Sequence, residues 1–294
     1  MISTLHKLAL STCALALAFA SPANAQTADP APGPALWSVS DEDTTIYLFG
    51  TVHILPPQLE WMDARITAAF EASDELVTEV DMTEMQEAAQ RTLVLAQLPE
   101  GQSLRGLMTD DDRAEYEAAL TGMGLPVAAL DGFEPWFATV NLGLLPALRA
   151  GYNPESGVDL ALTSMAGGKR TTGLETIEFQ LGLFDSMPMD QQLTALDRAV
   201  EQMPNALETI DTMVGNWMSA DTVALAEIIN AEFSDPDAYD WFIGNRNRNW
   251  AQWIDDRLDQ PGTVFIAVGA GHLAGRDSVQ DLLAARGIAT VLED

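Results

Sequence analysis

The chain has 294 residues, 44 of them Asp or Glu and 14 Lys or Arg, giving a formal net charge of −30. That charge repels phosphate backbones and anionic lipid surfaces, so no nucleic-acid partner is expected, and its ordinary use is solubility. Cys13 is the only cysteine, so no disulfide within the chain can form and stability must come from an apolar core, for which the chain is long enough.

The N-terminus reads as an export signal. Lys7 precedes an apolar run, Leu8–Ala20, and Ser21-Pro22-Ala23-Asn24-Ala25 follows as a small-x-small cleavage pattern. The run falls short of the roughly 20 residues that span a bilayer, which favours a cleaved signal over an anchor. Residues 1–25 are therefore expected to be removed, leaving a soluble protein with no membrane insertion, in the periplasm of a Gram-negative bacterium. Residues 26–34 (QTADPAPGP) lack large apolar groups and read as a flexible leader. Residues 35–294 are expected to form one domain.

In that domain, Leu36–Ser40 and Thr45–Phe49 read as a hairpin ending at Gly50. Leu59, Met62, Ile66 and Phe70 have the spacing of one helical face, predicting a helix from Leu59 to Phe70. Glu75–Val80 is the next strand. Residues 82–149 are helical in pattern, with Thr109 capping a first turn of Asp110, Asp111 and Asp112. A helix over Val158–Met165, a short strand near Lys169–Gly173 and helices over about 190–258 follow. The chain ends with a strand, Thr263–Val268, a helix over 276–286 and a strand, Ile288–Leu292. Strands alternating with helices predict an α/β protein with a central, mainly parallel or mixed sheet, carrying a large helical insertion.

Apart from His6 in the signal, the histidines are His53 and His272. The first strand pair leads into Gly50-Thr51-Val52-His53, and the later strand into Gly269-Ala270-Gly271-His272. Ligands of α/β sheets bind beyond the carboxyl ends of strands, where glycine lets the backbone turn or approach closely. One Gly-x-x-His is a weak signal, since a lone histidine is commonly structural. Two copies in the same context, at opposite ends of a histidine-poor domain, point to one shared site.

These residues resemble the TraB/GumN family, which includes the Tiki-like proteins. The resemblance starts at Trp37 and Tyr47-Leu48-Phe49-Gly50-Thr51-Val52-His53 and continues through Thr78-Glu79-Val80-Asp81, Gly157-Val158-Asp159 and Gly173-Leu174-Glu175-Thr176 with Gln180. It ends with Arg246-Asn247, Trp250 and Val268-Gly269-Ala270-Gly271-His272-Leu273-Ala274-Gly275. It implies a fold related to erythromycin-esterase-like and ChaN-like proteins, and a site of His53, Glu79 and His272 with Arg246 and Asn247 nearby. For Tiki-like members it implies a metalloprotease using manganese or cobalt.

Two imidazoles and a carboxylate suit a catalytic divalent ion with a position left open for water. On that reading His53, Glu79 and His272 are ligands, and Arg246 holds a substrate carboxylate or a developing oxyanion. A metal-free alternative uses one histidine as general base, oriented by Glu79. A third reading is a protein that holds haem or a metal without turnover. Secondary candidates are Asp81, as a ligand or more readily a helix cap, Glu175, as a cleft group or an arginine partner, and Asn247. Trp241, Trp250 and Trp253 read as helix packing. The substrate is expected to be a peptide or small molecule, and the oligomeric state is not legible.

Overall fold

The computed structural model describes residues 33–82, 85–232 and 236–294. The expected signal, and the leader up to residue 32, lie outside them.

Six strands form one mixed sheet: β1 (Leu36–Ser40), β2 (Thr44–Thr51), β3 (Glu75–Val80), β4 (Arg170–Glu175), β5 (Gly262–Gly269) and β6 (Val291–Leu292), in the order β4-β3-β5-β2-β1-β6. β2, β5, β3 and β4 are mutually parallel, while β1 runs antiparallel between β2 and β6. The sheet is therefore the expected mixed one, with a parallel centre. β5 is the last parallel strand in sequence, yet it fills the slot between β2 and β3. That brings the two Gly-x-x-His turns to adjacent strand ends.

The helices are α1 (Ala64–Ala72), α2 (Met85–Leu95), α3 (Leu104–Leu107), α4 (Asp110–Gly122), α5 (Pro135–Arg149), α6 (Val158–Met165) and α7 (Ile177–Asp185). After them come α8 (Met189–Gln202), α9 (Ala206–Met218), α10 (Thr222–Glu232), α11 (Pro236–Tyr239), α12 (Asn245–Leu258) and α13 (Val279–Ala285). A π-helical turn, Asp240–Gly244, joins α11 to α12.

Strand β5 shows why the sheet is covered on both faces. Its side chains alternate, and both sets are apolar, as expected of a buried parallel strand. Phe265 and Ala267 pack with Phe49, Ile66, Phe70, Val158 and Trp217 against α1, α6 and α9. Val264, Ile266 and Val268 pack with Leu48, Trp250, Ile254 and Leu283 against α12 and α13. The helical insertion has its own core, in which Leu104, Tyr116 and Leu120 meet Leu142 of α5 and Leu196 of α8.

Several boundaries differ from the sequence expectation. The first helix begins at Ala64, not Leu59, because the Asp63 carboxylate accepts from the Arg65 and Ile66 amides and caps it there. Leu59 and Met62 still pack on the core, so the periodic spacing reflects burial and not continuous helix. The last helix starts at Val279, where Ser278 caps it. The final strand has only two residues and reaches the far edge, beside β1. Thr109 caps α4 as expected, its hydroxyl accepting from the Asp112 amide at 3.2 Å.

Phe265 is fully buried against the rings of Tyr47, Phe49 and Phe70. Phe265→Ala should destabilise the fold by about 3–5 kcal/mol, read as a lower urea midpoint at unchanged slope.

Candidate functional site at the carboxyl ends of the parallel strands

The two Gly-x-x-His turns touch. A Cβ on Gly50 would lie 3.0 Å from Cα of Ala270, so glycine lets the ends of β2 and β5 pass this closely. A second glycine docks α6 on the first turn. The Val158 amide donates to the Val52 carbonyl at 3.0 Å, and a Cβ on Gly157 would sit 2.1 Å from the carbonyl oxygen of His53. This contact delivers Asp159 to the imidazole.

His53 Nδ1 lies 2.8 Å from Oδ2 of Asp159, and the other carboxylate oxygen accepts from the Thr51 hydroxyl at 2.9 Å. Asp159 accepts only, so Nδ1 carries the proton and Nε2 is the open nitrogen. His53 stands at an open cleft, with 69 % of its side chain accessible. Desolvation by the surrounding cleft lowers its pKa. The hydrogen bond and charge of Asp159, with help from Glu79, outweigh that and raise it to about 9.

His53, Asp159, Glu79 and Gln180 line one cavity of about 310 Å³, whose walls are otherwise mainly apolar, among them Ile54, Val80, Leu144 and Leu160.

Behind Glu79 lies a buried ionic network. Arg246 Nε donates to Glu175, Nη2 donates to Glu79 (2.6 Å) and Glu175 (2.8 Å), and Nη1 faces the Phe242 carbonyl (3.2 Å) and His272 Nε2 (3.0 Å). A guanidinium can only donate, so His272 Nε2 is an acceptor, and its Nδ1–H donates to Oδ1 of Asn247 at 2.6 Å. The Asn247 amide in turn donates to the carbonyls of Asp277 and His272. Burial, with Arg246 and His53 opposing a second positive charge, takes His272 down to about 3 against the pull of Glu79, so it is neutral.

Burial pushes Glu79 up, but His272, Arg246, His53 and the Gly269 amide, which donates at 2.7 Å, bring it down to about 2. Since His272 is uncharged near neutrality, the permanent charge of Arg246 does most to keep Glu79 ionised there. Gln180 donates to Glu79 at 2.7 Å, and the Trp250 indole donates to Glu175 at 3.1 Å.

This geometry revises the roles expected from sequence. His53 and Glu79 share a cavity, whereas His272 lies behind Glu79 with both ring nitrogens engaged. The Nε2 lone pair that would ligate a metal instead accepts from a cation, and that cation also grips Glu79. The arrangement does not fit a His53/Glu79/His272 metal centre. Among the described residues, no group of three His, Cys, Asp or Glu side chains is disposed to hold a metal ion.

Arg246 has five N–H groups, and all five are engaged within the protein, so it orders the site without offering a donor to substrate. Glu175 is its carboxylate partner, and Asn247 orients His272. Asp81 follows the end of β3 and does not line the cavity; the start of α2, which it could cap, adjoins residues 83–84, outside those described. Trp250 is core packing as expected, and also stacks on Arg246, whereas Trp241 is half exposed. Asp159 and Gln180 stand in the motifs that carry the family resemblance but are not among the site residues expected from sequence. The signal for Asp159 was its place at a helix start just after a glycine.

A family model described as the TraB/PrgY/gumN family matches residues 35–291. The chain belongs to that family. The chain is also similar to an uncharacterized protein of Treponema pallidum (strain Nichols), 24 % identical over 269 residues that cover 85 % of this chain and 80 % of the other. No solved structure matches.

Removing Arg246 leaves two buried carboxylates without their cation. Arg246→Met should cost about 3–5 kcal/mol in urea unfolding. The pH dependence of stability also has a fixed sign. His272 has a folded pKa near 3 against the ordinary 6.5, so the stability it confers by staying neutral is full above 6.5 and is lost as pH falls toward 3. The destabilisation caused by His272→Gln should therefore be largest at neutral pH and shrink on acidification.

Proposed function

We propose that this chain hydrolyses neutral carboxylic esters or amides, with His53 as general base. The observation that carries the reading is the open Nε2 of His53, backed through Nδ1 by a buried carboxylate and facing a cavity it shares with Glu79. Asp159 fixes the tautomer and stabilises the imidazolium formed when Nε2 takes a proton from water. Oε1 of Glu79 accepts the Gly269 amide and has a lone pair left, enough to accept the water's second hydrogen and orient its oxygen. The water attacks the carbonyl, and the imidazolium then returns the proton to the leaving oxygen or nitrogen as the tetrahedral intermediate collapses.

The substrate's charge follows from the walls. Arg246 is saturated and Glu79 is ionised, so apart from His53 itself a carboxylate beside the scissile bond meets only a like charge, whereas the apolar lining accepts uncharged groups.

With p-nitrophenyl esters and peptide anilides, His53→Ala should lower kcat/KM by about 10²–10⁴-fold, and dialysis against a chelator should leave the rate unchanged. Because the base works when neutral and its pKa is near 9, kcat/KM should rise with pH through about 9. Asp159→Asn should move that limb to lower pH, since the group that raises the pKa is gone. Undiminished hydrolysis by His53→Ala would sink the mechanism, and loss of activity on chelation, restored by manganese or cobalt, would replace it with a metal-dependent one.

A further inference from the structure

A larger chamber is lined by two of the helices that also line the His53 cavity. It has a volume of about 530 Å³, within the range of small-molecule sites, and its walls include Trp136, Val140, Phe184, Met187, Ala199 and Phe242. The two spaces draw wall residues from the same two helices. On α5, Leu144 lines the small cavity and Val140 the chamber; on α7, Gln180 lines the small cavity and Phe184 the chamber. Each pair is four residues apart, just over one helical turn or about 6 Å along the axis. The chamber thus lies about one turn further along α5 and α7, with α8 forming a further wall.

This placement also accounts for Val140 and Leu144, large apolar side chains left 38 % and 37 % accessible in the middle of α5. At the far wall the Phe242 ring packs 5.1 Å from that of Phe184, and its carbonyl accepts from Arg246. The π-helical turn therefore forms part of the chamber and braces the network that orders Glu79. Such irregular turns recur at functional sites.

We propose that α5 and α7 flank a substrate groove in which the scissile carbonyl lies at His53 and Glu79 while an apolar tail, an acyl chain or aromatic group, fills the chamber beyond Val140 and Phe184. The inference rests on the hydrolase reading for its chemistry, and on the shared helices, volume and lining for its geometry. The walls named above offer a tail apolar and aromatic surface. A tail that crosses one helical turn before entering the chamber must be longer than a few carbons.

The test uses p-nitrophenyl esters from acetyl to octanoyl with the full-length protein and with Ala199→Trp, whose indole would fill the chamber. The wild type should prefer octanoyl over acetyl by at least about tenfold in kcat/KM, as expected for burying several methylenes, and in Ala199→Trp the ratio should fall to near one. Absence of the preference in wild type, or its persistence in a folded Ala199→Trp, overturns the groove.

Binding supplies a readout free of turnover. The neutral naphthalene dye Prodan should shift to the blue on binding wild type and His53→Ala, be displaced by ethyl octanoate, and fail to bind Ala199→Trp. Displacement without hydrolysis of any ester supports the groove and refutes only the hydrolase reading. Failure of ethyl octanoate to displace the dye from His53→Ala refutes the groove itself.

Discussion

One guanidinium organises the carboxyl-terminal edge of this sheet. Arg246 reaches β3 through Glu79, β4 through Glu175, the turn after β5 through His272, and its own preceding turn through the Phe242 carbonyl. Charges taken from water are costly unless paired and hydrogen-bonded, and here one cation answers two carboxylates with every donor engaged. Three neighbouring parallel strands, β4, β3 and β5, converge on this contact, so the position of Glu79 in the cavity is set by all three.

The network also divides labour between two histidines that look equivalent in sequence. His272 is neutral, buried and bonded at both nitrogens, and acts as a strut between Asn247 and Arg246. His53 is open, and its partner is an anion instead of a cation. Burial, helped by Arg246 and His53, takes His272 down to about 3, whereas the Asp159 carboxylate raises His53 to about 9. Groups pushed apart in this way are a physical mark of a functional site. The glycines serve the same end: Gly50 lets the two turns meet, and Gly157 brings Asp159 to His53.

The helical insertion belongs to the same design. With a core of its own around Leu104, Tyr116 and Leu120, it places α5 opposite α7 as a wall of the cavity. Family membership says nothing of the reaction, and the relative named above is itself uncharacterized.

Sequence by itself determined the α/β class, most strand positions and the placement of His53, Glu79 and His272 at strand ends. Each follows from local patterns: β-branched apolar runs, helical spacing, and glycines next to histidines. It overstated the first helix because Leu59 and Met62 are buried without being helical, and periodicity registers burial alone. Tertiary structure alone decided which histidine leaves its Nε2 open to the cavity. That depends on partners distant in the chain, Asp159 for His53 and Arg246 and Asn247 for His272, brought together by insertion of β5 between β2 and β3. A hydrogen-bond donor's reach is a few ångströms, whereas local sequence patterns carry no information about which distant side chains arrive within it.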